Sequence, residues 1–289
     1  MIDIRKSSEQ FKALCSHRPK ICIELGSGQQ AVINHATEFL GSDYQDISFS
    51  ELKFPAAGQI SGHKDIIRVW PEVAIICGRR HAYEGCDIND VAKPVRVFGL
   101  NGCQTFILLS ASGSVVERIK PGTIVAIKDD YYEGDSPLRI PFREDLLEDE
   151  FIDPNPTYDP ELSTLISETI APRVIGKQLE QVRLGVIINR RSYEKPAEVL
   201  KAQMLRCSVV GISIPPQAEA LIGLPRKLGI KIVGLSAVTN SHCQAHNGSN
   251  KCTATHQGVK NAADHITKHQ LAPLVVATIK ELLEQKVQI

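Results

Sequence analysis

Short apolar runs rich in β-branched residues recur along the chain, at residues 20–25, 66–70, 73–77, 106–109, 123–128, 184–188, 209–213 and 231–238. They are nearly continuous rather than alternating, the pattern of strands buried on both faces. Between and after them lie segments with helical periodicity, at 30–40, 160–170, 196–205, 217–228, 255–268 and 271–285. A chain built this way covers its strands with helices, so it reads as α/β, with a mixed, largely parallel central β-sheet flanked by helices. No fixed-period repeat, low-complexity tract or clear linker divides the chain, and residues 1–289 read as a single domain. The least regular stretch, 129–159, is rich in Pro, Asp and Glu and too long for an ordinary connection; it is either a functional loop or a mobile one.

Charge narrows the class of partner. Lys and Arg together number 33, as do Asp and Glu, so the formal net charge is zero. No bulk field draws the protein to nucleic acid or to anionic membranes, and any anion site must be local. No apolar run reaches the roughly 18 residues of a membrane span. The start MIDIRKSSEQFK lacks the apolar stretch of a signal peptide, so a soluble, cytoplasmic protein is expected. The 8 cysteines are scattered, and Cys22 and Cys77 fall within apolar runs where a thiol is a small hydrophobe, so most of them read as reduced and structural.

Cations stand at the mouth of one buried strand: Val73-Ala74-Ile75-Ile76-Cys77 leads at once into Gly78-Arg79-Arg80-His81-Ala82-Tyr83-Glu84-Gly85. Ligands of open α/β sheets collect at the carboxyl ends of strands, and guanidinium and imidazole donors there suit an oxyanion. A solvated basic turn has the same composition. Gly26-Ser27-Gly28, after the first strand, either offers backbone N–H groups to an oxyanion or is a plain strand-to-helix turn. It is neither a dinucleotide fingerprint nor a P-loop, since the third glycine and the Gly-Lys-Ser/Thr are missing. Ser192-Tyr193-Glu194 opens a helix and adds an aromatic face and a carboxylate, although a Glu there also serves the helix dipole. His242, Cys243, His246, Cys252 and His256 cluster in sequence, but without a Cys-x-x-Cys pair and around the loop Asn247-Gly248-Ser249-Asn250, so no metal site is expected. Local chemistry alone describes an α/β enzyme with an oxyanion pocket.

Taken in order, the motifs resemble the trimeric purine nucleoside phosphorylase family nearly end to end. The resemblance rests on Gly26-Ser27-Gly28, Gly62-His63, Gly78-Arg79-x-His81-x-Tyr83-Glu84-Gly85, Pro94-Val95-Arg96-Val97-Phe98, and Pro121-Gly122 leading to Ile127-Lys128-Asp129. It continues through Ser192-Tyr193-Glu194-x-Pro196-Ala197-Glu198, Val210-Gly211-Ile212-Ser213, Val238-Thr239-Asn240 and Thr255-His256-Gln257. It implies that the anion is inorganic phosphate, held by Ser27, Arg79, His81 and Ser213 with the backbone near Ala111, under a loop carrying His63. Glu194 and Asn240 would grip the purine, Tyr193 stack on it, Tyr83 and Ile212 line the ribose, and His256 meet the 5′-hydroxyl. Asn240, Glu194 and His81 would be the catalytic groups, and the amide at 240 would favour 6-oxopurines such as inosine and guanosine. The methylthioadenosine branch of the family places an Asp there. Phe151 resembles the aromatic lent to a neighbouring subunit's pocket, which implies a homotrimer. No metal or organic cofactor is implied, only phosphate as co-substrate.

The chain departs from the family beside these residues. Gln29-Gln30 replaces Leu-Gly, Ser110-Ala111-Ser112-Gly113-Ser114 replaces Asn-Ala-Ala-Gly-Gly, and Arg190-Arg191 and Lys195 replace Gly-Pro and Thr. Fewer glycines make a less permissive backbone, and three new cations near the base edge bear on the charge of the preferred substrate. A divergent phosphorylase is the leading expectation; a shifted substrate such as xanthosine or methylthioadenosine, a non-catalytic nucleoside-binding relative, and a structural trimer are the alternatives.

Overall fold

In the computed structural model, which describes residues 4–55, 65–140, 147–188, 190–242 and 255–287, the first apolar run forms β1 (Ile21–Glu24), buried throughout. Its neighbours β4 (Val73–Ile76) and β5 (Thr105–Ser114) both run parallel to it. Side chains alternate across each strand, so Cys22, Ala74 and Phe106 pack on one side of the sheet and Ile23, Ile75 and Ile107 on the other. Both sides are core, which is why the runs show no polar alternation. The first is covered by α1 (Ile4–Leu14), α3 (Ile88–Leu100) and α7 (Pro215–Ile222), through Phe11, Val95, Phe98 and Leu221. The second is covered by α2 (Ala31–Leu40), by α4 (Pro160–Thr164), which passes through the wider-wound turns Leu165–Ile170 into α5 (Ala171–Ile175), and by α9 (Ala272–Val287), through Val32, Leu162, Ile166, Ala171, Val275 and Ile279.

Among the described residues the sheet has 9 strands. From β1 it extends one way through β4 and β3 (Ile66–Val69) to an edge at β2 (Gln45–Ser48). The other way it runs through β5, β8 (Val209–Val210), β7 (Glu180–Val186), β6 (Ile124–Tyr132) and β9 (Lys231–Ser241). β9 then pairs back onto β5, closing the last five strands into a ring. Five pairings are parallel and four antiparallel, so the sheet is mixed, with parallel pairing the commoner.

Three elements lie outside the sequence expectation. α3 carries Pro94 in its interior, a residue that normally interrupts a helix. It is also buried on nearly every side, Lys93 and Arg96 included; its start is set by Asp87, whose side chain accepts from the Asn89 N–H at 2.8 Å. α1 and β2 are the other two, and the helix expected at 160–170 runs past that bound as α5, to Ile175. α7 begins at Pro215 and ends at Ile222, short of the expected 217–228, and Arg226–Leu228 is a separate tight turn. The irregular stretch is partly strand, because β6 continues to Tyr132. It is also tied down: Tyr158 is buried and donates to Asp130 at 2.6 Å, and Arg96 of α3 donates to the Pro137 carbonyl at 2.6 Å. α8 (His256–Ile266) passes through the looser turns Thr267–Leu271 into α9. Among the described residues no helix is long and apolar enough to cross a membrane, and the described cysteines are free.

Candidate active site

The parallel strands β4, β1, β5 and β9 all end on the same side, and there the chain leaves a cavity of about 550 Å³. Gly26 and Ser27 line it after β1, His81 and Tyr83 after β4, Ser110–Gly113 within β5, and Gly211–Ser213 after β8. The segment after β7 adds Arg190–Glu194, β9 adds Thr239 and Asn240, and α8 closes the top with His256, Val259 and Lys260. Most of the residues expected to form a site from separate parts of the chain thus share one cavity.

At one end lie hydroxyl and imidazole groups. His81 Nε2 is 3.1 Å from Ser213 Oγ, while its Nδ1 is 3.2 Å from Glu84 Oε1. An ionised carboxylate only accepts, so Nδ1 carries the proton and Nε2 faces the Ser213 hydroxyl as acceptor. Burial lowers the pKa of His81, with nearby Arg79 adding to the effect, which favours this neutral form. Burial would raise Glu84, but hydrogen bonds from the side chain and backbone of His81 hold it below its ordinary value. Ser213 is aimed by a strained turn: Ile214, buried and β-branched, has φ 89° at the start of α7. Such a conformation costs roughly 1–3 kcal/mol and is retained where the surroundings enforce it.

Arg79 does not reach the cavity. Its side chain is 0% exposed and donates to the carbonyls of Glu24 and Leu25, each at 3.3 Å, and to that of Leu109. It lies 3.4 Å from the carboxylate of Glu24, which is equally buried. Expected to touch the anion directly, Arg79 instead sits behind the Gly26-Ser27 turn and the end of β5, because β1 supplies a carboxylate to meet it.

The opposite end is built on a bulge. β9 stays in step with β5 as far as Val238 opposite Ser112, then skips a residue so that Asn240 faces Gly113. The extra residue, Thr239, re-aims its neighbours, as bulges beside sites do. Its hydroxyl lies 2.9 Å from Asn240 Oδ1 and 3.2 Å from the Ser112 carbonyl, which orients the amide N–H₂ toward His242 Nε2 at 3.4 Å. His242 Nε2 is also 3.5 Å from Glu194, whose side chain is 5% exposed. Burial raises Glu194 and lowers His242, so the low polarity here opposes charge on both. Gly113 is required for this approach: a Cβ there would lie 2.8 Å from both Asn240 Nδ2 and His242 Nε2. Tyr193 is partly exposed at the rim.

Between the ends, Tyr83 stacks on His81 with ring centroids 4.8 Å apart, and the Arg191 guanidinium lies 5.9 Å from its ring centre. Ile212 and His256 line the same region. Of the three unexpected cations, Arg190 is engaged by Glu198 at 2.7 and 2.9 Å, an ion pair that fastens the segment to α6 (Pro196–Met204). Arg191 is the one that lies over the cavity's aromatic wall, while Lys195 is exposed at the helix start. Phe151 is 91% exposed and is not among the residues that line this cavity. His63 and the cluster members Cys243, His246 and Cys252 lie outside the described residues.

Several supports were missed from sequence. Gln29 is buried; its Oε1 accepts from the Gly26 N–H at 2.5 Å and its Nε2 donates to the Ser110 carbonyl at 2.9 Å, welding the glycine turn to β5. Ser236 of β9 bridges Ser110 and Ser112 through hydroxyl contacts of 2.9 and 2.8 Å. Gln29, Ser110 and Ser112, which depart from the family pattern, thus find their partners in the Gly26 turn, the β5 backbone and Ser236. Glu84 stood within a noted motif, but only the fold shows it gripping His81.

Comparisons with known proteins identify the family. The model of the phosphorylase superfamily matches residues 68–275. Purine nucleoside phosphorylase of Bos taurus is 28% identical over 282 residues, 93% of each chain. That of Mycobacterium tuberculosis is 30% identical over 224 residues, covering 76% of this chain and 75% of the relative. A Schistosoma purine nucleoside phosphorylase in complex with hypoxanthine superposes with a TM-score of 0.83 over 97% of both chains, at 23% identity, a likeness of fold. The chain belongs to the phosphorylase superfamily, as a divergent enzyme of its purine nucleoside phosphorylase branch.

Proposed function

We propose that the cavity catalyses phosphorolysis of purine ribo- and deoxyribonucleosides, of the 6-oxopurine kind such as inosine and guanosine. One observation carries the reading: a hydroxyl and imidazole end (Ser27, His81, Ser213) faces an amide and carboxyl end (Asn240, Glu194) across a space of nucleoside size. An oxygen of inorganic phosphate attacks the anomeric carbon as the bond to the purine breaks; the bonding pair leaves with the base, which takes up the proton that the phosphate gives up, giving free purine and (deoxy)ribose 1-phosphate. Positive charge develops on the sugar and negative charge on the base, so donors at the leaving base and an anion beneath the sugar lower the barrier. Asn240 N–H₂, held by Thr239, serves the developing charge near purine N7, and Glu194 accepts from N1–H. Neutral His81, backed by Glu84, orders Ser213 and the attacking anion.

Phe151, exposed on the irregular segment, supports assembly as a homotrimer in which it completes a neighbour's ribose site. The reaction uses phosphate as co-substrate and needs no metal or organic cofactor.

The test is release of free base from inosine, guanosine, xanthosine and adenosine, each with and without phosphate, beside Glu194→Ala. Phosphate-dependent release from inosine and guanosine, reduced at least about hundredfold in the variant, is the expected result. Absence of release from every nucleoside rejects the proposal.

A further inference from the structure

The guanidiniums near the anion end of the cavity are each matched by a carboxylate. Arg80 Nη1 lies 3.5 Å from Glu84, and Arg79 lies 3.4 Å from Glu24 in a setting where neither side chain touches solvent. The second pair is the unusual one. Glu24 ends β1, immediately before the Leu25-Gly26-Ser27 turn, and both its carboxylate oxygens are buried without a hydrogen bond. A carboxylate so placed stabilises little by itself; its effect is to cancel a charge just behind the floor of the cavity, where the low dielectric carries electrostatic influence far.

We infer that Glu24 sets the affinity of this enzyme for its anionic co-substrate: ionised, it neutralises Arg79 and leaves inorganic phosphate weakly held, whereas uncharged it releases the field of Arg79 to the anion. The inference rests on the phosphorolytic reading, and it makes Glu24 a positioning residue that acts through Arg79. Burial, opposed by Arg79, pushes the Glu24 pKa up to about 7, so the device is divided between its two states near neutral pH. Among the described residues, three titratable side chains face the pair. β1 contributes Cys22, whose pKa is raised well above its ordinary value, chiefly by burial; the turn after β4 contributes Tyr83 and neutral His81. The facing strand β5 carries no titratable side chain, and Lys260 of α8 lines the cavity above.

Glu24→Gln, with Glu24→Leu as a second variant, separates this from a structural role. The KM for phosphate is expected to fall about tenfold while the KM for inosine changes less than about twofold. Sulfate, a dianion throughout this range, supplies a readout independent of catalysis: its binding to the unmodified enzyme, followed by calorimetry, should weaken as pH rises from about 6 to 8 and be nearly flat in the Gln variant. Folded variants with an unchanged or raised KM for phosphate overturn the inference, as does pH-independent sulfate binding by the unmodified enzyme. Should neither variant fold, the sulfate titration of the unmodified enzyme decides alone. If no nucleoside is cleaved, the phosphorolytic reading fails on its own, and the sulfate titration still tests Glu24.

Discussion

His81 shows how much one side chain depends on its partner. Glu84 holds the proton on Nδ1 and so leaves Nε2 as the acceptor that faces the Ser213 hydroxyl. Glu84→Gln, which can donate where the carboxylate only accepts, is expected to lower kcat for base release about hundredfold with little change in melting temperature. Glu194 adds a pH dependence. It can accept from the base only when ionised, and burial raises its pKa, so activity should be lost as pH falls through that raised value. The acid limb of kcat/KM will then lie above the ordinary carboxylate range and disappear in Glu194→Gln. Residues such as Ser27, Ser213 and Asn240 were visible in sequence because each sits in a short local motif. Glu24 and Ser236 were not, since an isolated acid or serine in an apolar strand gains meaning only from a strand or loop distant in the chain.

At the scale of elements, the bulge between β5 and β9 decides whether the base end exists. Gly113→Ala places a methyl where Asn240 and His242 approach, so Asn240 must turn away. A loss of at least about tenfold in kcat/KM is expected, with far-ultraviolet circular dichroism unchanged. Reading alternation alone could not find this bulge, because both strands are buried on both sides and a one-residue slip leaves no mark in an apolar pattern. α3 escaped for another reason: Pro94, in its interior, spoke against a helix. The long parallel runs and the amphipathic α2 were legible because burial there follows the local repeat. α6 was legible for another reason, its Pro196 start and the Glu198 that caps it.

For the whole molecule, the order of segments revealed an α/β sheet covered on both sides, but not the ring, since closure depends on β9 pairing along two edges at once. The proposed trimer belongs at this scale. Phe151→Ala should raise the KM for inosine while the mass by light scattering stays that of three chains; a monomer at working concentration would remove the basis for a lent aromatic ring. The ring also bears on how such a catalyst could be re-engineered. In it β5 and β9 share one ladder of backbone hydrogen bonds, so the bulge that sets Asn240 cannot be moved without breaking their pairing. The segment after β7, by contrast, hangs from the ring by its ends and carries Arg191, Tyr193 and Glu194. A designer seeking a different base would recast that segment and leave the strands alone, and natural drift in specificity has the same cheap route open to it.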